Sequence, residues 1–179
     1  MIIIYSVATT NDELLKILKL QQENLFKNIS EEEKLAEGFV TVEHTFDLLK
    51  EMNGIFPHII AKSETGEIAG YALCMHPKFG DKIEVLKPMF TILNSIIPKD
   101  EKYIVMGQIC VSKNYRRKGV FKGLYNAMKK HVASEFDLII TEVDAKNSRS
   151  LQAHFSVGFV ELSSYHSGGQ DWKVISLKA

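Results

Sequence analysis

The stretch Val111-Ser-Lys-Asn-Tyr-Arg-Arg-Lys-Gly-Val-Phe-Lys-Gly-Leu124 constrains the fold more than any other, because an apolar strand passes through a basic, glycine-bearing turn straight into an amphipathic helix. A strand that feeds a helix in this way aims free main-chain N–H groups and the positive end of the helix dipole at whatever occupies the turn. Arg116, Arg117, Lys118 and Lys122 crowd that helix start, where cations are disfavoured. The placement makes physical sense when a polyanion fills the turn. A solvated basic loop is the alternative reading of the same residues.

A second segment, Asn147-Ser-Arg-Ser150-Leu-Gln-Ala-His154-Phe-Ser-Val-Gly158-Phe159, follows another apolar strand. Together the two resemble the GNAT acetyltransferase superfamily, whose signature is a strand, Q/R-x-x-G-x-G/A opening a helix, a second strand, then N-x-x-A/S with an aromatic or histidine four residues later and a closing G-F. Arg116 and Gly119 hold the first and fourth positions of that phosphate loop, and the resemblance extends from Pro57 to the C-terminus. Phe121 stands where glycine or alanine is usual, and Gly123, two residues on, is a candidate to compensate in part for the lost close approach of backbone to pyrophosphate.

The resemblance implies an α/β (mixed α+β) fold, the GNAT-type acyl-CoA N-acyltransferase architecture with a central mixed twisted sheet flanked by helices. In it the strands Tyr103–Val111 and Asp137–Val143 are parallel neighbours that splay, with the pantetheine arm of acetyl-CoA in the gap. Backbone N–H groups from Arg117 through Gly123, including Gly119, Val120, Phe121 and Lys122, would meet the pyrophosphate, while Arg116, Arg117 and Lys118 add screened charge. The resemblance places main-chain groups of Ile109 and Val111 against the pantetheine amides, and Asn147 against the cofactor arm. Asn147 is equally readable as the N-cap of the Ser148 helix.

The implied activity is N-acetyl transfer from acetyl-CoA to a primary amine of a small molecule or peptide, by direct attack on the thioester. His154 occupies the position where many relatives carry a tyrosine near the sulfur, which makes it the candidate proton donor to the departing thiolate; a packed, hydrogen-bonded core histidine is the competing reading. Some relatives have a glutamate base on the Tyr103–Val111 strand, where this chain has Gln108, so Glu142 on the neighbouring strand becomes the candidate base, with a water relay as the alternative. A non-catalytic acyl-CoA-binding module of the same fold is the second function. A nucleic-acid-binding domain using the Arg116 patch is the third.

Charge argues against that third reading, since 22 basic and 22 acidic residues leave a formal net charge of zero and no global field for nucleic acid or an anionic membrane. With 179 residues, 45% hydrophobic, and no linker-like tract, residues 1–179 are expected to form one domain. Cys74 and Cys110 lie in apolar runs and suit unpaired thiols in a reducing cytoplasm. The opening apolar run, Met1 to Val7, is too short for a signal peptide, and no run reaches the ~20 apolar residues of a membrane span. His44, His58, His76, His131 and His166 show no paired metal spacing, so no metal is expected. A homodimer is compatible with the sequence.

Element by element, Ile2 to Val7 reads as a strand, and Asn11 as the N-cap of a helix whose Leu14, Leu15, Ile17, Leu18 and Leu20 stripe continues to Lys27. Ser30 with Glu33 forms a capping box, and Gly38 to Val42 is too β-branched for a helix before Phe46, Leu48, Leu49 and Met52 resume helical spacing. Pro57 to Lys62 and Glu67 to Met75 form a hairpin about Ser63 to Gly66, followed by a helix-rich insertion, Lys82 to Ile97. Tyr103 to Val111 is apolar on both faces, with a bulge or a close backbone approach expected at Gly107. A helix from Gly119 to Ser134, a strand Asp137 to Val143, a short helix Ser148 to Val157 and a hairpin over Gly168-Gly169 complete the chain. Acceptor specificity is expected from Phe39 to His44 and from Phe79 to Ile97, with Tyr165 and Trp172 on the terminal hairpin packing beside it.

Overall fold

Burial on both faces makes β4 (Tyr103–Val111) the middle of the sheet, and its neighbours on either side set the architecture. The computed structural model describes residues 2–37 and 39–179, apart from the side chains of Leu35 and Ala36. A seven-stranded sheet runs in the order β1 (Ile3–Val7), β2 (Ile59–Ser63), β3 (Ile68–Met75), β4, β5 (Leu138–Asp144), β7 (Gln170–Lys178), β6 (Val160–Ser167). Every neighbouring pair is antiparallel except β4 and β5, which are parallel and joined by the crossover helix α5 (Val120–Val132).

Two apolar layers cover the sheet. On one face α1 (Asn11–Asn24), α3 (Phe46–Ile55) and α4 (Lys87–Ile96) bury Leu14, Ile17, Leu49, Met52, Met89 and Leu93 against Tyr71, Leu73, Val105, Ile140 and Val174. On the other, α5 buries Val120, Leu124, Tyr125, Met128 and Val132 against Ala61, Ala72, Ile104, Met106 and Ile139. Each such side chain contributes roughly 1.5–3 kcal/mol of transfer free energy, which is why the helical stripe of α5 fixes it flat on the sheet. The remaining helices, α2 (Glu31–Glu37) and α6 (Ser148–Ser156), border the opening described below.

Local chemistry shifts several expected boundaries. Thr10, not Asn11, caps α1: its hydroxyl accepts from Glu13 N–H, and the Glu13 carboxylate accepts from Thr9 and Thr10 N–H in return. The helix stops at Asn24 rather than Lys27, because Leu25 is extended and bridges Val40, leaving a 3-10 turn at Phe26–Asn28. Gly38, which opens the irregular segment, and Met1 lie outside the described residues. The insertion is helical only from Lys87; Pro77–Lys82 and Glu84–Leu86 are 3-10 turns. The terminal hairpin turns on Gly168 and Gly169 with φ of 61° and 75°, the left-handed pair a two-residue hairpin requires.

Two irregularities position the site. Two steps along β3, from Ala72 to Cys74, are matched by three along β4, from Ile109 to Met106, which places a bulge at Gly107-Gln108. The parallel pairing of β4 with β5 covers only Tyr103 to Val105 and then stops, so the two strands part and leave a gap.

Candidate functional site

The gap opens into a cleft of about 530 Å³ between β4, the 116–122 turn and α6. An inner cleft of about 80 Å³, sharing Phe39, Val40, Ile109 and Ser150 with the larger one, continues toward Glu142, Asn147, His154 and Trp172. Since Ser112 N–H donates to Ala69 O on the β3 side, strand alternation turns the main-chain groups of Ile109 and Val111 toward the gap, where β5 no longer pairs with them. The structure thus brings Ile109 and Val111 to one wall and Arg116 to Lys122 to the mouth.

The turn itself is held in a strained form that exposes amides. Arg117 has φ 59° and Gly119 φ 79°, both left-handed, and Gly119 is the N-cap of α5 with no side-chain cap. The first amide bonded back is that of Gly123, which donates to Gly119 O at 3.0 Å. The N–H groups of residues 117–122 have no hydrogen-bond partner among the described residues. A concave run of unpaired amides at a helix N-terminus binds an anion without a buried side-chain charge.

That arrangement corrects the expectation for Gly123. Its amide is consumed within the helix, and its Cα faces Tyr5 of β1, where an added methyl would come within 2.0 Å of the Tyr5 Oη. The glycine serves close packing of α5 on β1, not the anion turn. Phe121 is half-buried in the cleft lining, edge-on to Tyr125 and His154 at 5.2 Å from each.

The basic side chains are less available than their number suggests. Arg116 Nη2 donates to Asn24 Oδ1 at 2.7 Å and its Nε to Val111 O at 3.3 Å, with Glu37 at 3.8 Å. Arg117 donates to Glu37 Oε1 at 2.7 Å, Lys118 to Asn114 O at 2.7 Å, and Lys113 pairs with Glu33. Asn24 and Glu37 went unnoticed in the sequence because they lie far from the turn along the chain, and no local spacing joins them to it.

Asn147 fills its capping role, Oδ1 accepting from Ser150 N–H at 3.3 Å, while its amide donates to Phe39 O at 3.2 Å. It therefore ties α6 to the segment that roofs the cleft. That segment also hangs on two buried glutamines. Gln108 donates to Val42 O at 2.7 Å and accepts from Tyr71 Oη and Gln21 Nε2, and Gln21 Oε1 accepts from His44 N–H at 2.9 Å. Phe39 to Val42 consequently line the inner cleft, whereas Phe79, Met89 and Leu93 of the insertion are buried in the core.

His154 takes the packed, hydrogen-bonded position of its competing reading. It is 1% exposed among Phe121, Tyr125 and Phe159, and burial pushes its imidazole down to about 4. Nδ1 lies 2.7 Å from Ser150 O, a carbonyl that can only accept, so the single proton of the neutral ring resides on Nδ1. Nε2 is buried without a partner and carries no proton to give.

Glu142 stands at the inner end of the cleft, half-buried, and accepts a hydrogen bond from Tyr165 Oη of β6. Burial raises its carboxyl to about 7, with the Tyr165 bond pulling the other way. Trp172 lines the same cleft, its Nε1 donating to Ser167 O at 3.2 Å. Cys110 lines the outer cleft, but burial pushes its thiol up to about 12, so it is an apolar wall, not a nucleophile.

The acetyltransferase (GNAT) family profile matches residues 16–159. No curated protein matches the chain by sequence. Among solved structures, the NatC complex bound to Gag peptide and CoA is similar with a TM-score of 0.67 and 19% identity, over 100% of this chain and 99% of that one. The ribosomal-protein-S18-alanine N-acetyltransferase from Escherichia coli gives 0.65 and 14%, over 99% and 94%. The spermidine N-acetyltransferase from Vibrio cholerae in complex with CoA and spermine gives 0.60 and 16%, over 98% and 95%.

Proposed function

Because the chain belongs to the acetyltransferase (GNAT) family, we propose that it transfers the acetyl group of acetyl-CoA to a primary amine of a small molecule or peptide, by direct attack on the thioester. The observation that carries this reading is the run of unpartnered amides, residues 117–122, at the mouth of a cleft that leads between the parted strands to Glu142. The donor set suits acetyl-CoA: main-chain amides for the diphosphate, strand-edge groups of Ile109 and Val111 for the pantetheine amides, and the Asn147 region beside the arm. That strands from both ends of the chain join one sheet supports a single domain over residues 1–179.

Glu142 is the base. As the amine nitrogen bonds to the thioester carbonyl carbon and the C–S bond breaks, its carboxylate accepts the proton the nitrogen loses, directly or through one water. A carboxyl at about 7 is matched to that task near neutral pH. Gln108, engaged in the roof network, has no such role. The departing thiolate takes its proton from solvent, since His154 has none at its free nitrogen.

Calorimetry with acetyl-CoA and a thiol-release assay over peptide N-termini, polyamines and amino acids test the reading. Saturable binding followed by amine-dependent thiol release is expected. Binding without release across the panel would favour a non-catalytic acyl-CoA-binding module, and absence of binding would overturn the proposal.

A further inference from the structure

Four cationic side chains line the outer cleft: Arg116, Arg117, Lys122 and Arg149. Arg116 is fixed by Asn24 and the Val111 carbonyl, and Arg117 by Glu37. Lys122 and Arg149 alone of the four make no hydrogen bond or ion pair among the described residues. Both are exposed, Lys122 in the first turn of α5 and Arg149 in the first turn of α6. A cation at a helix N-terminus is opposed by the helix dipole, so two unpaired ones facing a single cleft raise its positive potential at a cost that only an anion offsets.

We propose that Arg149, with Lys122 lining the same cleft from the side of the turn, binds the 3′-phosphate of coenzyme A. This rests on the cofactor reading above. The order of groups along the cofactor fixes which phosphate it must be. The unpaired amides of the turn take the diphosphate, and the pantetheine arm runs inward past Ile109 toward Ser150, which lines both clefts. The adenosine end therefore points outward, and its 3′-phosphate is the one anion left at the rim. Arg149 lines the outer cleft only and is exposed there, on the wall opposite the turn. A guanidinium presents a planar fork to phosphate oxygens, and at a solvated rim it discriminates between phosphorylated and unphosphorylated ribose without carrying the whole affinity.

The test compares CoA with dephospho-CoA by titration calorimetry, using the wild-type chain, Arg149→Ala and Arg149→Lys. Wild type is expected to bind CoA more tightly than dephospho-CoA. Arg149→Ala is expected to lose roughly tenfold in CoA affinity with dephospho-CoA unchanged, and Arg149→Lys to recover part of the loss. An equal loss for both ligands would make Arg149 a diphosphate or adenine contact, and no loss for either would remove it from the site; both overturn the proposal. Failure of the wild type to bind either ligand would instead overturn the cofactor reading itself.

Discussion

Burial acts on Glu142 and His154 in opposite senses, because it disfavours the charged form of each: the carboxyl rises to about 7 and the imidazole falls to about 4. The roles diverge accordingly. Glu142→Gln is expected to lower turnover by about 100-fold or more while leaving acetyl-CoA affinity within about twofold, since general bases contribute on that scale. In the wild type, turnover should rise with pH through about 7 as the carboxyl loses its proton, and that limb should vanish in the variant. A pH–rate profile with the same acid limb in both would remove Glu142 as base. His154→Phe is expected to leave the shape of that profile unchanged, because the wild-type ring is neutral throughout and its only proton is tied to Ser150 O. A lost basic limb in the His154 variant would restore the histidine as acid. Both residues were visible in the sequence as candidates, Glu142 from strand alternation and His154 from its motif. Neither environment was, since the aromatic cage of His154 and the Tyr165 bond to Glu142 depend on strand and helix neighbours that no local spacing encodes. Arg149 could have been found by the argument applied to Lys122, a cation placed where a helix begins.

Elements repeat this division between local and non-local information. The strand–turn–helix–strand–helix order, the Gly107 bulge and the Gly168-Gly169 hairpin were legible because periodicity, turn glycines and burial on both faces are local signals. The parting of β4 from β5 came only from the family resemblance, and the glutamine network that suspends residues 42–44 came from neither. Gln108→Glu tests that network. The substitution replaces the donor to Val42 O by an oxygen, so the buried acid is bonded there only while protonated, and its folded-state pKa must lie above that of the unfolded chain. The variant's stability should therefore approach wild type below the ordinary carboxylate pKa and fall behind it as pH rises, by about 1–3 kcal/mol at neutral pH. Chemical denaturation at several pH values reads this directly; a deficit independent of pH would show that the proton is irrelevant. The α5–β1 contact gives a second test. Gly123→Ala should cost roughly 1–3 kcal/mol by forcing Tyr5 or the helix aside, and a Tyr5→Ala background should abolish most of that cost.

Across the whole molecule, three buried histidines set the acid limit. His44, His58 and His154 are each pushed by burial from an ordinary 6.5 down to about 4. The geometry supports neutrality separately for each: His44 Nδ1 accepts from Gln21, His58 Nδ1 accepts from Cys74 N–H at 3.1 Å while Nε2 donates to Leu49 O, and His154 Nε2 has no acceptor for a new proton. Between pH 6.5 and 4 the unfolded chain binds protons at these sites and the folded chain does not, so stability is whole above 6.5 and is lost as pH falls toward 4. Each group accounts for up to roughly 3 kcal/mol. Glu142 works the other way: its raised carboxyl holds a proton in the folded state that the unfolded chain has released, so acidification from about 7 toward 4.5 adds stability and offsets about one histidine. The net loss is then on the scale of a domain's entire stability of about 5–15 kcal/mol. The melting temperature should fall steeply between pH 6.5 and 4.5, whereas Glu142→Gln, a neutral isostere, should melt lower than the wild type at acid pH relative to their difference at pH 8. A melting temperature flat across that interval would mean that the three imidazoles charge within the folded state, and the neutral assignment of His154 on which the proposed proton path depends would fall with it.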